Sequence, residues 1–256
     1  MLEIRGLAKS FLRKGQPFPV LDRVDLCARE GETVGVVGPS GCGKTTLLNI
    51  VAGLEQPDKG SVVVSGLEGG QRLGRIAYMQ QKDLLLPWRT VLGNSILGLE
   101  LQGASLQEAR KRAQELLESF GLKGFEGYYP EALSGGMRQR VAFLRTVLAG
   151  GPLILLDEPF GSLDAYTRAS MQEWLLKALS PLGKTVLLVT HDVEEALLLS
   201  DRVYVLTPRP ACVKAEVPVS LPRPRSRQLV LDPAFIELRA ALLKELWQGA
   251  LSYQPS

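Results

Sequence analysis

The sequence contains little cysteine and histidine, and its charges nearly balance. Its 256 residues include one histidine and three cysteines, at positions 27, 42 and 212. The odd number and wide spacing of the cysteines argue against a disulfide framework or a zinc site and are typical of a reducing cytoplasm. The net charge of +3 is too small to indicate nucleic-acid binding by itself, and we find no basic stripe interleaved with aromatic residues. We therefore expect no nucleic-acid partner.

Long apolar runs are also lacking. The longest, such as 153–156 and 186–189, are far shorter than the ~18 to 20 residues of a membrane-spanning helix. The first five residues carry charges where a signal peptide needs its apolar stretch, which predicts a protein that is not exported. With 45% hydrophobic residues the chain can still bury a core, so a globular protein is expected.

The apolar pattern predicts an α/β fold. Near-continuous apolar runs at 33–37, 153–156 and 185–190 are typical of strands buried on both faces of a parallel sheet. Helical segments are predicted near 166–179 and 193–199, between and after the later strands. Further strands are expected near the amino terminus, at 2–7 and 20–28.

A helical segment interrupts this α/β pattern. Ser105 and Glu108 form a capping-box sequence, apolar residues recur up to Phe120, and Gly121 predicts the end of the helix. Another helix is predicted to begin at Ser134. We expect a helical subdomain over about 84–150, inserted into the α/β core.

The last forty residues differ in composition. A proline- and arginine-rich stretch, 218–227, predicts a linker, and Asp232-Pro233 predicts the start of a helix. Its apolar face would contain Phe235, Ile236, Leu242, Leu243 and Leu246, and Gly249 would end it. Residues 216–256 are therefore predicted to be a linker followed by a docked helix.

A glycine-rich segment after the predicted strand 33–37 matches the pattern G-x-x-x-x-G-K-[ST]. Its residues are Gly38, Pro39, Ser40, Gly41, Cys42, Gly43, Lys44 and Thr45. Backbone N–H groups freed by the glycines, together with the following helix N-terminus, favour phosphate binding. Lys44 would neutralise the β- and γ-phosphates, and Thr45 would ligate Mg²⁺. The alternative, a glycine turn without chemistry, is disfavoured because the flanking strand and helix also match.

Two adjacent acids, Asp157 and Glu158, follow the buried run 153–156. Adjacent carboxylates at a strand end are costly unless a cation or a reacting water uses them. Asp157 is predicted to hold Mg²⁺, and Glu158 to polarise the attacking water as general base. The alternative is a pair of ordinary surface carboxylates at a strand end.

A second glycine-containing helix start follows Leu133. Its residues are Ser134, Gly135 and Gly136. Without larger side chains, the backbone N–H groups at this helix N-terminus would stay accessible, which predicts a second anion site. The alternative is an ordinary serine N-cap. Two such sites in one chain suggest that each nucleotide is held from two sides.

Taken together, these motifs resemble the nucleotide-binding subunit of ATP-binding cassette (ABC) transporters. The Walker A, signature and Walker B motifs stand here as GPSGCGKTT (38–46), LSGGMRQR (133–140) and LILLDEP (153–159), in the family's order. The resemblance covers roughly residues 1–215. It implies a P-loop NTPase (RecA-like) core with an antiparallel β subdomain and the inserted helical subdomain, and ATP and Mg²⁺ as cofactors.

The resemblance also assigns further residues. Phe11 and Val20 would contact the adenine, Thr46 belongs to the phosphate loop, and His191 would contact the γ-phosphate near Glu158. The nucleotide of a partner subunit would be contacted by Ser134, Gly135, Gly136 and Gln139 of the signature motif and by Asp164 of the D-loop.

Two adjacent glutamines, Gln80 and Gln81, compete for the family's catalytic and Mg²⁺-binding glutamine. In the family that residue lies six positions before the proline, here Pro87. This spacing favours Gln81, with Gln80 as the alternative.

The resemblance further implies partners. Two cassettes, as a homodimer or a pair, would close head to tail on two ATP molecules and drive transmembrane permease subunits from the cytoplasmic face of the membrane. The segment LLLPWRT (84–90) resembles the corresponding segment in the cassettes of nitrate, sulfonate and taurine importers and their thiamine-precursor relatives. This resemblance implies a periplasmic or extracellular substrate-binding protein. We expect part of 84–88 to fill the core and part, including Trp88, to line a groove for the permease.

Two other classes remain as alternatives. One is a non-transport ABC ATPase of repair, translation or cofactor assembly. Repair members carry long coiled-coil insertions and translation members usually carry two cassettes, and 256 residues leave no room for either. A small-molecule kinase would lack the signature motif.

The position of Cys42 beside Lys44 and a helix N-terminus predicts a reactive thiol, unless its side chain points away from the loop.

Overall fold

A computed structural model of the chain describes residues 1–251. The strands within them are β1 (Leu2–Arg13), β2 (Gln16–Ala28), β3 (Thr33–Val37), β4 (Lys59–Val64), β5 (Leu67–Glu68), β6 (Ala77–Met79), β7 (Leu153–Asp157), β8 (Thr185–Thr190), β9 (Arg202–Leu206) and β10 (Val213–Pro218). The α-helices are α1 (Lys44–Ala52), α2 (Val91–Ser95), α3 (Leu97–Leu101), α4 (Leu106–Leu117), α5 (Gly135–Ala149), α6 (Ala165–Leu179), α7 (Val193–Leu199) and α8 (Pro233–Leu251). In this part of the chain no helix is both long enough and apolar enough to cross a membrane.

The centre of the molecule is a six-stranded sheet in the order β10-β9-β3-β8-β7-β6. All neighbours pair in parallel except β10, which runs antiparallel to β9. Every residue of β3, β7 and β8 is buried, because helices and a second sheet cover the two faces. The predicted parallel α/β core is therefore confirmed.

A second, antiparallel sheet has the order β2-β1-β4-β5. Its strands β1 and β2 form a long hairpin that places Phe11 opposite Phe18 near the turn. Farther along β2, Leu21 bridges to Ala211 in the loop after β9. This bridge ties the hairpin to one end of the central sheet.

The inserted helices α2 to α5 lie in the chain between β6 and β7. The helix starts predicted from the sequence are confirmed: the Ser105 hydroxyl accepts a hydrogen bond from the Glu108 N–H at the start of α4, and the Ser134 hydroxyl accepts one from the Met137 N–H at the start of α5. These side-chain caps satisfy N–H groups that the first helical turn leaves without a partner. The proposed bounds of the subdomain, about 84–150, stay a prediction.

The carboxyl-terminal segment is anchored on α7. Arg225, whose side chain is 1% exposed, donates hydrogen bonds to carbonyl oxygens at the end of this helix, those of Leu197, Leu198 and Ser200. A cation at a helix C-terminus also interacts favourably with the helix dipole. Phe235 and Leu242 of α8 are fully buried against α7, so this helix is docked on the core as predicted.

Two details of the predicted last helix are wrong. The helix does not end at Gly249 but continues to Leu251, since a glycine costs a helix only about 1 kcal/mol and does not stop it alone. Ile236 does not lie on the buried face, because 43% of it is exposed. The division of the chain at residue 215 stays a prediction.

Candidate functional site

The glycine-rich loop joins β3 to α1 at the carboxyl edge of the central sheet. Gly43 directly precedes α1 with a φ of 125°, and a Cβ there would lie 2.8 Å from a methyl carbon of Val20. Only glycine fits that conformation and that contact. No side chain caps the first turn of α1, so its N–H groups remain free for an anion, as the phosphate-loop pattern predicts.

Lys44 is the first residue of α1, and its side chain lies beneath the loop. Only 5% of the residue is exposed. Its ammonium donates hydrogen bonds to the carbonyl oxygens of Gly38 at 2.9 Å and Pro39 at 3.1 Å. These two carbonyls hold the ammonium group in place at the glycine-rich loop.

Asp157 ends β7 and is almost completely buried, with 2% exposed. Burial raises the pKa of its carboxyl group, as does the neighbouring charge of Glu158, whereas hydrogen bonds from Thr45 and Tyr78 act in the opposite direction. The Tyr78 hydroxyl donates to Asp157 Oδ2 at 3.4 Å. A buried carboxylate beside a threonine hydroxyl is an oxygen-donor pair that fits a divalent cation.

Glu158 is held at the strand end in an unusual conformation. Its φ of 44° is left-handed, which costs a non-glycine residue about 1–2 kcal/mol. Its backbone N–H donates to the Val189 carbonyl of β8 at 2.8 Å, and this bond fixes the turn. Strain of this kind is common where a side chain must be aimed at a reaction centre.

Three polar side chains converge on the Glu158 carboxylate. Gln81 Nε2 donates to Oε2 at 3.1 Å, His191 Nδ1 lies 3.1 Å from the same oxygen, and Lys44 Nζ lies 3.9 Å from Oε1. The structure therefore brings together Glu158, Gln81 and His191, which the sequence predicts as catalytic. Gln81, not Gln80, makes the contact with Glu158 and lines the cleft beside it, so the geometry favours Gln81.

A cleft of about 600 Å³ runs from this cluster along the loop to the β1–β2 hairpin. Ten of the residues predicted from the sequence line it: Phe11, Val20, Ser40, Gly41, Gly43, Lys44, Thr45, Thr46, Gln81 and Glu158. Its long shape, with backbone N–H groups at one end and aromatic rings at the other, fits a nucleoside triphosphate.

Three residues of the cleft were missed by the sequence reasoning: Arg13, Phe18 and Arg209. Phe18 could have been found, because a hairpin that turns at Lys14-Gly15 pairs it with Phe11. Arg209 has no local motif, since only the strand order brings the loop after β9 beside the phosphate loop.

The expectation that Cys42 is a reactive thiolate is wrong. Its side chain is 2% exposed and belongs to the apolar core under the sheet. Burial raises the pKa of the thiol and outweighs the nearby charges of Lys44 and Arg209. The alternative reading, in which Cys42 points away from the loop, is the correct one.

The signature residues lie outside the cleft. A Cβ on Gly135 would lie 3.2 Å from a methyl carbon of Leu163, and one on Gly136 would lie 3.2 Å from the Thr167 methyl. Both glycines therefore allow the start of α5 to pack closely on Leu163 and on the start of α6. Asp164 caps α6 by accepting from the Thr167 N–H at 3.0 Å, which lowers the pKa of its carboxyl group.

Gln139 is nearly buried within its own chain. The residue is 3% exposed, and it borders a separate cavity between the Gln81 loop and α5. Its Oε1 has no hydrogen-bond partner within residues 1–251. Its predicted contact with a nucleotide stays a prediction.

Comparison with known proteins identifies the family. A model described as ABC transporter matches residues 21–161, more than half of the chain. The taurine import ATP-binding protein TauB of Escherichia coli O157:H7 is 41% identical, over 97% of this chain and 98% of that protein. The formylaminopyrimidine import ATP-binding protein ThiZ of Halalkalibacterium halodurans is 45% identical, over 89% of this chain and 88% of that protein.

Two further matches agree. The aliphatic sulfonates import ATP-binding protein SsuB 1 of Pseudomonas syringae pv. syringae is 45% identical, over 97% of both chains. Among solved structures, the dimeric ATP-binding cassette MJ0796 bound to ADP and Pi superimposes with a TM-score of 0.76 at 32% identity, covering 86% of this chain and 100% of that one. The family model, the identities and the fold agree with the motifs that line the cleft: this chain belongs to the ABC transporter family and is one of its ATP-binding, ATP-hydrolysing subunits.

Proposed function

We propose that this chain is the ATPase subunit of an importer for a small organic anion, such as taurine or another sulfonate, or for a thiamine precursor. The observation on which the proposal depends is the cluster of Glu158, Gln81 and His191 at the mouth of the phosphate loop. The substrate class is supported by the relatives, which are import proteins for taurine, aliphatic sulfonates and formylaminopyrimidine. Nitrate, a similar small anion, belongs to the same proposal.

Within this function Glu158 acts as the general base. Gln81 and His191 both contact Oε2, so they orient the carboxylate toward the end of the cleft where the γ-phosphate would lie. A fixed carboxylate can accept a proton from a water that attacks the phosphate. Lys44, already beside Oε1, supplies positive charge for the phosphate oxygens.

Mg²⁺ fits the residues at the bottom of the cleft. Thr45 and Asp157 would hold it, with Gln81 close to the same place. Within the described residues no cluster of three or more acids, histidines or cysteines could hold a metal without help. That is expected for Mg²⁺, which takes one or two protein oxygens and completes its shell with water and substrate phosphates. When bound, it would neutralise charge that develops on the phosphates.

A head-to-tail homodimer would complete the site. Ser134 and Gly135 lie outside this chain's own cleft, at the N-terminus of α5. In a two-fold arrangement each cleft would face the α5 start of the other subunit. The dimeric structure of the related cassette MJ0796 supports this arrangement.

A permease would dock near the start of the helical insertion, with the chain at the cytoplasmic face of the membrane and a substrate-binding protein on the other side. Trp88 is 72% exposed and Leu84 48% exposed, whereas Leu85 packs on the core. The segment 84–88 is thus divided between core and surface, as expected from the sequence. An exposed tryptophan that follows the Gln81 loop supports a contact surface for an apolar helix.

Uptake in the host organism tests this function. Deletion of the gene should abolish import of one labelled solute among taurine, an alkanesulfonate and formylaminopyrimidine, and the wild-type gene should restore it. The Lys44→Ala variant should restore nothing, and Trp88→Ala should keep ATP hydrolysis in the purified subunit but restore little import. Unchanged uptake of all these solutes and of labelled nitrate in the deletion strain would contradict the importer proposal.

A further inference from the structure

Arg209 lines the same cleft as Glu158 but reaches it from the other side of β3. The strands β8, β7 and β6 lie on one side of β3 and bring His191, Glu158 and Gln81 to the cleft. On the other side β9 pairs with β3, with Val205 beside Val37. The loop after β9 therefore borders the end of the cleft that contains the aromatic hairpin.

Backbone hydrogen bonds fix this loop on the hairpin. The Ala211 N–H donates to the Val20 carbonyl at 2.8 Å, and the Asp22 N–H donates to the Ala211 carbonyl at 2.9 Å. The loop is also closed on itself, since the Cys212 N–H donates to the Thr207 hydroxyl at 3.0 Å. The position of Arg209 is thus set by the fold and not by its own side chain.

The guanidinium of Arg209 lies over the ring of Phe18, 4.3 Å from its centre, and it lines the cleft while half-buried. Other arginines in the second half of the chain form ion pairs, among them Arg202, Arg223 and Arg239. Among the described residues Arg209 itself takes part in no ion pair or side-chain hydrogen bond. A partly buried cation without an acidic partner, open to a ligand cleft, has donors available for that ligand.

We infer that Arg209 binds the nucleoside part of ATP, its guanidinium backed by Phe18 and directed at the base and ribose. A guanidinium carries five N–H donors and a flat face, so it can donate to ring nitrogens or ribose oxygens and can stack on the base. Lys44 holds the phosphates at the other end of the same cleft. The inference rests on the proposed function, because it takes this cleft to be the ATP site.

Steady-state hydrolysis by the full chain tests the inference, with inorganic tripolyphosphate as a competitor that lacks the nucleoside. Arg209→Ala should raise the KM for MgATP about tenfold and leave kcat within about twofold, because the Glu158 cluster is untouched. The inhibition constant of tripolyphosphate should not change. Arg110→Ala, which removes the same charge from an exposed position on α4, should alter none of the three.

Arg209→Gln controls for packing, since its side chain can still cover part of Phe18 while it loses the charge and the planar fork. It should melt like the wild type and show most of the rise in KM. A normal KM in Arg209→Ala, or a tripolyphosphate constant that rises in proportion, would overturn the inference. A wild-type chain that does not hydrolyse ATP would instead overturn the proposed function itself.

Discussion

The two glycine-flanked helix starts of this chain look alike in sequence but differ in the structure. At α1 the preceding Gly43 adopts a conformation closed to other residues, no side chain caps the helix, and the free N–H groups face a cleft with Glu158. At α5 the Ser134 hydroxyl caps the helix, and Gly135 and Gly136 serve close packing on α6. The first helix start borders the cleft that contains Glu158, and the second lies outside that cleft in its own chain.

We propose that the two helix starts hold one nucleotide from two sides of a dimer. A site divided in this way would form only when the subunits meet, so nucleotide binding and hydrolysis would become separable steps. Substitutions that remove phosphate binding at the first helix start should abolish nucleotide binding, whereas those at the second should leave binding intact and abolish turnover.

The largest effect is expected for Glu158→Gln. The amide keeps the shape of the side chain but cannot accept the proton of the attacking water, so turnover should fall at least about a hundredfold. MgATP should still bind and should hold two subunits together. Sedimentation with and without MgATP measures the association, and the same variant with Lys44→Ala added is the control that cannot grip the phosphates.

A monomer under both conditions, at protein and nucleotide concentrations well above the nucleotide affinity, would contradict a site that closes between two subunits. Retained turnover would instead mean that Glu158 is not the base.

A second prediction separates the two helix starts by mixing subunits. Ser134→Asp keeps a good N-cap but places a negative charge where the partner's phosphates would lie, and Lys44→Ala removes the phosphate grip. Each variant alone should lose about a hundredfold in turnover. A mixture should recover activity, because a mixed dimer contains one cleft with an intact Lys44 facing an intact Ser134.

Ser134→Asn is the matched control, since it keeps the cap without the charge and should remain far more active than Ser134→Asp. No recovery in the mixture, although mixed dimers are detected, would show that each chain completes its own site and that the two starts do not meet across a dimer.

A smaller effect is expected at the adjacent glutamines. Gln81→Ala removes the hydrogen bond to Glu158 Oε2 and should lower kcat about tenfold. Gln80→Ala, at the exposed neighbouring position, should stay within about twofold of the wild type. The turnover of the two variants, measured side by side, decides between the two glutamines. A larger loss of kcat in Gln80→Ala than in Gln81→Ala would mean that Gln80 contacts Glu158 in the active state.

The sequence predicted the phosphate-binding half of the site better than the nucleoside half, for a physical reason. Phosphate is bound by backbone N–H groups at a helix start, which requires glycines at fixed spacing and therefore leaves a local pattern. At the aromatic end the sequence predicted Phe11 and Val20 but not Phe18 and Arg209, which are 191 positions apart in the chain and meet only through strand order. Side-chain direction was equally hidden: the motif that places Cys42 in the loop does not reveal that its thiol points into the core.

The smallest effect is expected in the labelling rate of Cys42, which measures how far the start of α1 is closed to solvent. Cys42 is buried in the core and burial raises the pKa of its thiol, so at pH 7 little thiolate forms and a maleimide cannot reach it. Cys27 is exposed and should react at least about tenfold faster. Peptide mapping of the folded wild type should therefore find label at Cys27 first, and the Cys27→Ser variant should label slowly until denaturant is added. If Cys42 of the folded protein reacted as fast as Cys27, and MgATP slowed that reaction, the loop would open in solution. The start of α1 would then be as open to solvent as the start of α5, and the two helix starts would no longer differ in this respect.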